Sequence, residues 1–173
     1  NVPTIIIKST VVPETTTKVV LPILEKESRK KVGEGFGLIT NPEFLRETNA
    51  INDTINPHVV VIGGYNDKFA KEVENFYTKF HKNVPIVKTN HQTAEMIKLA
   101  GMIYRDVNIA LVNEMARYCD EAGTDINDVI RLANTDGEAR LLSPGIGVGG
   151  HCAPVYPYFL INDARRKKTP QIL

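Results

Sequence analysis

A glycine-dense segment that ends in a cysteine is the richest candidate for chemistry in the sequence. Residues 143–152 read SPGIGVGGHC, with four glycines ahead of Cys152. Glycines at this density let backbone N–H groups approach an anionic or sugar ligand closely. A cysteine directly after such a loop can act as a nucleophile when its thiolate is accessible. The alternative is a glycine-rich loop with an incidental buried thiol, and the spacing alone leaves both open.

Two polar segments that follow predicted strands are the next candidates. KSTVVP begins at Lys8, and NPEFLRE runs from Asn41 to Glu47. Polar residues just beyond the carboxyl ends of parallel strands lie where α/β sheets bind their ligands. The charged residues Glu43, Arg46 and Glu47 also fit a solvated turn, so the residues alone do not decide between a site and a surface loop.

The remaining histidines and the second cysteine carry little chemical signal. His58, His81 and His91 have no metal-ligand spacing, so they are expected at the surface and no metal site is predicted. His151 is adjacent to Cys152, and because sequence neighbours rarely face each other it is not assigned as the base of that thiol. Cys119 lies in a predicted helix and is expected in the core.

Composition restricts the classes of protein to consider. The chain has 173 residues, of which 42% are hydrophobic and 24% charged, and its formal net charge is +1. This balance gives no electrostatic signature of nucleic-acid or anionic-membrane binding. No apolar run approaches the roughly 20 residues that span a bilayer. The two cysteines form no CxxC pair, which fits a reducing, cytoplasmic compartment.

The first half of the chain alternates short apolar runs with helical patterns, which predicts an α/β fold with a mostly parallel sheet. The runs III and VVVI suit strands buried on both faces. One predicted helix presents Phe69, Val73, Phe76 and Phe80 at helical spacing as its apolar face. The predicted strands are 4–8, 36–40, 58–63 and 85–88, and the predicted helices are 16–27, 68–80, 92–122, 125–133 and 157–166.

The second half predicts a helical domain built on one long helix. Residues 92–122 contain no proline and a single glycine, so a helix of roughly 45 Å is expected. Asn90 or Thr93 is expected to cap its start, and Gly123 its end. The helix is apolar on two sides, and the short helices after it cover only part of it. We therefore expect a homodimer through residues 92–122.

Five segments, taken in order, resemble the nucleotide-sugar 6-dehydrogenases, a family that includes UDP-glucose, UDP-N-acetylmannosamine and GDP-mannose dehydrogenases. The segments are STVVPETT, NPEFLRETNAIND, TAEMIKLA, YRDVNIALVNEMARYCDEAG and PGIGVGGHCAPVYPYFLI. The resemblance implies part of a Rossmann-like NAD-binding domain over residues 1–89. It also implies a helical middle and dimerisation domain over residues 90–173, and a third domain that completes the nucleotide-sugar site.

The same resemblance implies two successive NAD-dependent oxidations that take a sugar C6 alcohol to a carboxylate through a cysteine-bound intermediate. Cys152 matches the nucleophile, and Lys98 matches the ammonium that stabilises the oxyanion. Glu43 and Glu47 match glutamates at the reacting centre, where Glu47 positions water and contacts the cofactor. Thr10 matches a threonine near the nicotinamide and the catalytic water. Further matches are Ser9 for the cofactor, and Phe44, Leu45, Gly147 and Gly150 for the sugar.

The sequence departs from the family pattern at four positions. Met102 occupies the place of an asparagine that donates to the oxyanion, and a thioether donates no hydrogen bond. Tyr156 occupies the place of an aspartate that supports thiol deprotonation and thioester hydrolysis, and a phenol is a poor base at neutral pH. Glu14 and Thr48 stand where glycine is usual. A slow enzyme that stalls as a thioester is one consequence.

No GxGxxG-type strand–turn–helix appears, and the chain begins at a strand, so we expect a truncated piece of a longer protein that is inactive alone. The main alternative is a catalytically degenerate remnant that serves oligomerisation or nucleotide-sugar binding. NPEFLRE favours a glucose- or mannose-type substrate, whereas GHC followed by PYFL favours an acetamido sugar. The prediction is therefore a UDP-hexose, either UDP-glucose or UDP-N-acetylmannosamine, used in polysaccharide biosynthesis.

Overall fold

The computed structural model describes residues 2–64 and 66–170. The chain divides into two compact units, Asn1–Lys98 and Leu99–Leu173. The sequence places the domain boundary at residue 89, nine residues earlier. The units divide later because the first turns of the long helix pack against the sheet, where Ala94 is fully buried.

The first unit is built on a four-stranded sheet in the order β1-β2-β3-β4. β1 and β2 are parallel, and so are β3 and β4, as the alternating pattern predicts. β2 and β3 pair antiparallel, with Thr40 opposite Gly63. Because each parallel pair also ends in register, the carboxyl ends of all four strands meet at the centre of the sheet. The strands are β1 (Thr4–Ile7), β2 (Gly37–Thr40), β3 (Val60–Gly63) and β4 (Ile86–Thr89).

Helices fill the connections between the strands. The predicted helix at 16–27 begins as a π-helical turn, Thr16–Val20, and continues as α1, Leu21–Ser28. α3, Asp67–Phe80, matches its prediction closely. α2, Ala50–Ile55, is not predicted by the sequence, since a six-residue helix with Asn, Asp and Thr has neither strong propensity nor a full apolar period.

The core of the first unit lies between the sheet and α3. Gly37 lets the two approach, because a Cβ at that position would overlap the Phe69 ring. The buried members of this core are Ile39, Val60, Ile62, Phe69, Ala70 and Val73.

Two details of the predicted core are wrong. Phe76 and Phe80 are 53% and 65% exposed. A helix of 14 residues is about 21 Å long, whereas a strand of four residues spans about 13 Å, so the last turns of α3 extend beyond the sheet. β1 is only partly buried, with Ile6 36% exposed, because it is an edge strand within the described part of the sheet.

The long helix is confirmed as α4, His91–Ala122, a single helix of 32 residues. Asn90 caps it, because its Oδ1 accepts from the N–H of Thr93 at 2.8 Å, and Gly123 follows its end at a φ of +66°. α5 is Ile126–Ala133 and α6 is Tyr156–Arg166. Over residues 99–170 the second unit contains helices and loops and no strand. The predicted class, a partial Rossmann-like α/β sheet followed by an all-helical domain on one long helix, is therefore confirmed, with one antiparallel pairing added.

Across residues 2–64 and 66–170, none of the helices combines the length and the apolar character needed to cross a membrane.

Candidate functional site

A buried lysine on α4 is the first candidate centre. The side chain of Lys98 is 6% exposed, and its Nζ lies 3.1 Å from Glu43 Oε1 and 5.5 Å from the centre of the Phe44 ring. Burial of an ammonium is costly unless the charge is paired, and both a carboxylate and an aromatic face supply that pairing here. The fold thus brings together three of the predicted site residues, one from the helix after β4 and two from the loop after β2.

Asp53 on α2 holds the loop that carries Glu43. Its carboxylate accepts from the backbone N–H of Arg46 at 2.9 Å and from the guanidinium of Arg46 at 2.9 and 2.7 Å. Asn49 donates a further hydrogen bond at 2.8 Å. The Arg46 side chain is the main reason that the pKa of Asp53 lies far below its usual range. Arg46 is therefore held by Asp53 while its side chain stays 52% exposed, so it supports the loop from the solvent side.

The first turns of α4 contribute two buried polar residues that the sequence analysis did not assign. Glu95 is 2% exposed and accepts from the backbone N–H groups of Glu14 at 2.6 Å and Thr16 at 2.8 Å. His91 is also buried, which corrects its expected surface position, and its Nδ1 lies 2.9 Å from Thr40 Oγ1. Burial lowers the pKa of His91. The helical spacing of His91, Glu95 and Lys98 was the available signal, since it places all three on one face.

Thr10, in the loop after β1, buries its hydroxyl oxygen, which has no hydrogen-bond partner within the described residues. Buried polar atoms in native proteins are nearly always hydrogen-bonded. This hydroxyl therefore fits a polar group of a bound cofactor. Ser9 and Glu47, the other two residues predicted to contact the cofactor, are both exposed.

A cavity of about 230 Å³ in the first unit is lined by Glu43 and by both Phe44 and Leu45, the predicted sugar-contacting residues from the same loop. Lys8 also lines it and donates to Asn41 Oδ1 at 2.8 Å. The cavity therefore has an apolar wall with a few polar groups, which is typical of small-molecule sites.

The loop that carries Cys152 is the second candidate centre and belongs to the second unit. Cys152 is exposed and unpaired, whereas Cys119 is buried in the core as predicted. The carbonyl of Cys152 accepts from the N–H groups of Val155 at 3.1 Å and Tyr156 at 3.0 Å, so the residue lies one turn ahead of α6. Gly150 has a φ of +91°, a conformation that favours glycine. An exposed thiol meets the access that a nucleophile requires.

Two of the departures from the family pattern lie in the second unit. Met102 is on α4 and Tyr156 is the first residue of α6, and both side chains are half-buried. Gly147, predicted to meet the sugar through its backbone, is exposed in the loop between them.

The other two departures lie in the first unit. Thr48 is in an exposed single-turn helix. Glu14 has a φ of +76°, so a residue with a Cβ adopts a conformation that glycine adopts without strain.

Comparison with known proteins identifies the family of both halves of the chain. Residues 1–81 match the NAD binding domain of the UDP-glucose/GDP-mannose dehydrogenase family, and residues 92–173 match its central domain. The chain is 36% identical to a UDP-glucose 6-dehydrogenase of Haloferax volcanii, over 93% of this chain and 39% of that protein. It is 38% identical to a UDP-N-acetyl-D-mannosamine dehydrogenase of Pyrococcus horikoshii, over 93% of this chain and 38% of that protein.

A solved structure shows the same fold. A UDP-glucose dehydrogenase from Pyrobaculum islandicum has a TM-score of 0.86 with this chain at 27% identity, and the match covers 96% of this chain and 38% of that one. The chain thus spans about two fifths of the length of the curated relatives it matches. Both halves of the chain match one family in order, so this protein belongs to the UDP-glucose/GDP-mannose dehydrogenase family.

Proposed function

We propose that this chain is the segment of a nucleotide-sugar 6-dehydrogenase that carries its catalytic residues, and that it is inactive on its own. The whole protein would oxidise the C6 alcohol of a UDP-hexose to a carboxylate and reduce two NAD⁺. The buried ammonium of Lys98, paired with Glu43 beside a cavity, is the observation that carries the proposal. A buried, positioned cation is what a reaction with a developing oxyanion requires.

The cofactor, NAD, supplies the hydride acceptor for both oxidations when it is bound. Ser9, Thr10 and Glu47 would contact it, and Thr10 offers a buried hydroxyl oxygen that lacks a protein partner. The orphaned hydroxyl supports this assignment, because it would otherwise stay unsatisfied in the folded protein.

Cys152 would attack the aldehyde-level carbon and form a C–S bond, while the carbonyl oxygen becomes an oxyanion. Lys98 would stabilise that negative charge with its ammonium. After the second oxidation the carbon is held as a thioester. Water, positioned by Glu47, would then attack the thioester carbon, so that the C–S bond breaks, the carboxylate and the Cys152 thiol are released, and one proton passes to solvent.

The test is to measure NADH formation by the full-length protein with UDP-glucose, UDP-N-acetylmannosamine and GDP-mannose. We expect two NADH for each sugar oxidised, with a UDP-hexose as the preferred substrate. Cys152→Ala should abolish turnover, because no thioester can form. Cys119→Ala is the matched control, since this buried cysteine has no proposed role. Absence of NADH formation with all three sugars would contradict the proposal.

We also propose that the protein is a homodimer formed through residues 92–122. Leu111 and Tyr118 on α4 are 48% and 75% exposed. With Met115 and Val129 they line an open apolar groove of about 460 Å³ in the second unit. A second copy of α4 would remove this surface from water. Both cysteines are free, which supports a reducing, cytoplasmic location.

A second candidate function is a catalytically degenerate module that binds nucleotide sugars or oligomerises without reacting. Met102 and Tyr156 favour it, because neither side chain can replace the hydrogen-bond donor or the base that the family pattern has at these positions. Calorimetric titration separates the candidates. Heat with a UDP-hexose in a protein that forms no NADH would indicate a binding module, and a dimer without any such heat would indicate an oligomerisation module.

A further inference from the structure

The backbone that leads into the Cys152 loop is bound by asparagine side chains. Asn108, on α4, is 8% exposed, donates from Nδ2 to the carbonyl of Arg140 at 2.9 Å and accepts at Oδ1 from the N–H of Leu142 at 2.9 Å. The hydroxyl of Tyr104 donates to the same carbonyl at 3.1 Å. One side-chain amide thus satisfies the outward groups of two alternate residues, as a neighbouring strand would.

Two more asparagines continue the pattern. Asn134, directly after α5, accepts at Oδ1 from the N–H of Leu141 at 2.8 Å and donates from Nδ2 to its carbonyl at 3.0 Å. Asn113, on α4, accepts from the N–H of Gly145 at 2.8 Å. We call Asn108, Asn113 and Asn134 the amide clamp.

The clamp binds both edges of an extended segment. In extended backbone the polar groups of successive residues point to opposite sides. Asn108 takes residues 140 and 142 on one side, and Asn134 takes residue 141 on the other. An asparagine amide offers a donor and an acceptor in one plane, which is what this recognition requires. Residues 140–145 are therefore fixed without belonging to a helix or a strand.

The loop beyond the clamp is held at its two ends. Its near end is Gly145, bound by Asn113, and its far end is Cys152, whose carbonyl is bound at the start of α6. Between them, residues 146–151 include three glycines, and Ile146 is fully exposed. Ordering such glycines costs more conformational entropy than ordering other residues. A fixed base reduces the part of this cost that falls on ligand binding.

We propose that Asn108, Asn113 and Asn134 are positioning residues that fix the base of the 146–151 loop and so orient its backbone N–H groups and Cys152 toward the sugar. This inference rests on the proposed function, because it takes the loop as the sugar-binding element. It assigns a role to three residues that neither the glycine pattern nor the cysteine identifies.

The test compares Asn108→Ala and Asn113→Ala with Asn127→Ala in the full-length protein. Asn127 is an exposed residue of α5. Within the described part of the chain its side chain bonds only to Asp125, the N-cap of the same helix, so it is the matched control. Amide hydrogen exchange at residues 142–151 is the first measurement. The Michaelis constants for UDP-glucose and for NAD are the second. Protection of buried Cys119 from iodoacetamide reports that each variant is folded.

We expect exchange of the Leu142 N–H in Asn108→Ala, and of the Gly145 N–H in Asn113→Ala, to accelerate about tenfold or more, because each of these amides loses the side-chain oxygen that accepts from it. We also expect the KM for the nucleotide sugar to rise about tenfold with the KM for NAD unchanged, a split that a general loss of stability does not produce. Unchanged exchange at these amides would overturn the proposal. Faster exchange with an unchanged sugar KM would overturn it as well, because the clamp would then be structural only.

A wild-type protein that reduces no NAD with any of the sugars would show that the proposed function has failed. In that case the exchange measurement alone decides whether the clamp fixes the loop. Asn113→Ala keeps the test decisive if Asn108→Ala does not fold, because the Asn113 side chain is half-buried and makes one hydrogen bond within residues 2–64 and 66–170.

Discussion

At the scale of single residues, replacing Lys98 and replacing Glu43 should have different effects, the first on kcat and the second on stability. Lys98→Met replaces the buried ammonium with an apolar side chain of similar length, so we expect folding to persist and kcat to fall by about a hundredfold or more. Glu43→Gln leaves the ammonium without its counter-charge, and we expect the free energy of unfolding to fall by about 1–3 kcal/mol. Steady-state kinetics and thermal unfolding of both variants are the measurements. A Lys98→Met variant with unchanged kcat would contradict the oxyanion role.

Substitutions at Met102 and Tyr156 are predicted to raise kcat. Met102→Asn restores a hydrogen-bond donor, and Tyr156→Asp restores a carboxylate, so the double variant should raise kcat of the full-length protein by about a hundredfold. Met96→Asn, also on α4 and partly exposed, is the control for adding an amide to this helix. If the double variant gains no activity, the degenerate-module interpretation is favoured.

Glu14 is a strained residue whose replacement should stabilise the protein. Its φ of +76° costs a residue with a Cβ about 1–2 kcal/mol. Glu14→Gly removes that strain and loses the ion pair between the half-buried Glu14 and the exposed Lys18, so we expect a net gain of about 0.5–1 kcal/mol. Chemical denaturation measures the change, and Lys18→Ala reports the contribution of the ion pair alone. A less stable Glu14→Gly variant would show that the backbone is not strained there.

At the scale of elements, the docking of α4 onto the sheet depends on a buried neutral histidine. Burial lowers the pKa of His91. The unfolded chain therefore takes up a proton below about pH 6.5 that the folded protein resists, so this contribution to stability is present above that pH and is lost as the pH falls. We expect the difference in Tm between pH 7.5 and pH 5.5 to shrink in His91→Gln and to persist in His58→Gln, which changes an exposed histidine. Equal differences in both variants would contradict the assignment.

The close approach of α4 to β3 explains part of this docking. A Cβ at Gly63 would lie 2.6 Å from Ala94 Cβ and 2.9 Å from the Asn90 carbonyl oxygen, so only glycine fits there. This contact places His91, Glu95 and Lys98 over the carboxyl ends of the strands. The structure therefore uses a small residue in a strand to bring a polar helix face onto the sheet.

Most elements could be predicted from the sequence, because period and capping are local properties. α4 with its Asn90 cap and α3 are examples. The antiparallel pairing of β2 with β3 could not, since every local pattern in the chain also suits a wholly parallel sheet. The residues of the motifs could be identified by resemblance to the family. The contact between Lys98 and Glu43 could be seen only in the structure.

The supporting residues could not be predicted in the same way. Glu95 and Asn108 bond to backbone N–H groups far away in the chain, and nothing in a side chain's type shows which backbone it will meet. His91 looked like a surface residue for the same reason. Partners 32 or more positions apart, as for Gly145 and Asn113, are fixed by the tertiary fold alone.

At the scale of the whole molecule, the exposed apolar face of α4 predicts association. Tyr118→Lys places a charge in the groove that also contains Leu111, so we expect a dimer at micromolar concentration to become a monomer by sedimentation equilibrium. Val19→Lys, at an exposed apolar position in the first unit, is the control and should not change the mass. A monomeric wild type would contradict the proposed homodimer.

The antiparallel pairing gives the first unit a seam between two parallel strand pairs. α3 packs against both β2 and β3, and polar contacts also cross this seam. Asn41 donates to the Val61 carbonyl, His91 meets Thr40, and Lys98 meets Glu43.

Functional sites usually carry polar groups at the expense of stability, so proteins often gain stability when such groups are replaced. In this protein the same groups fasten one half of the sheet to the other. Replacing these polar residues would therefore lower the stability of the fold as well as the activity. Selection for stability alone would then keep them, even in a lineage that no longer used them for chemistry.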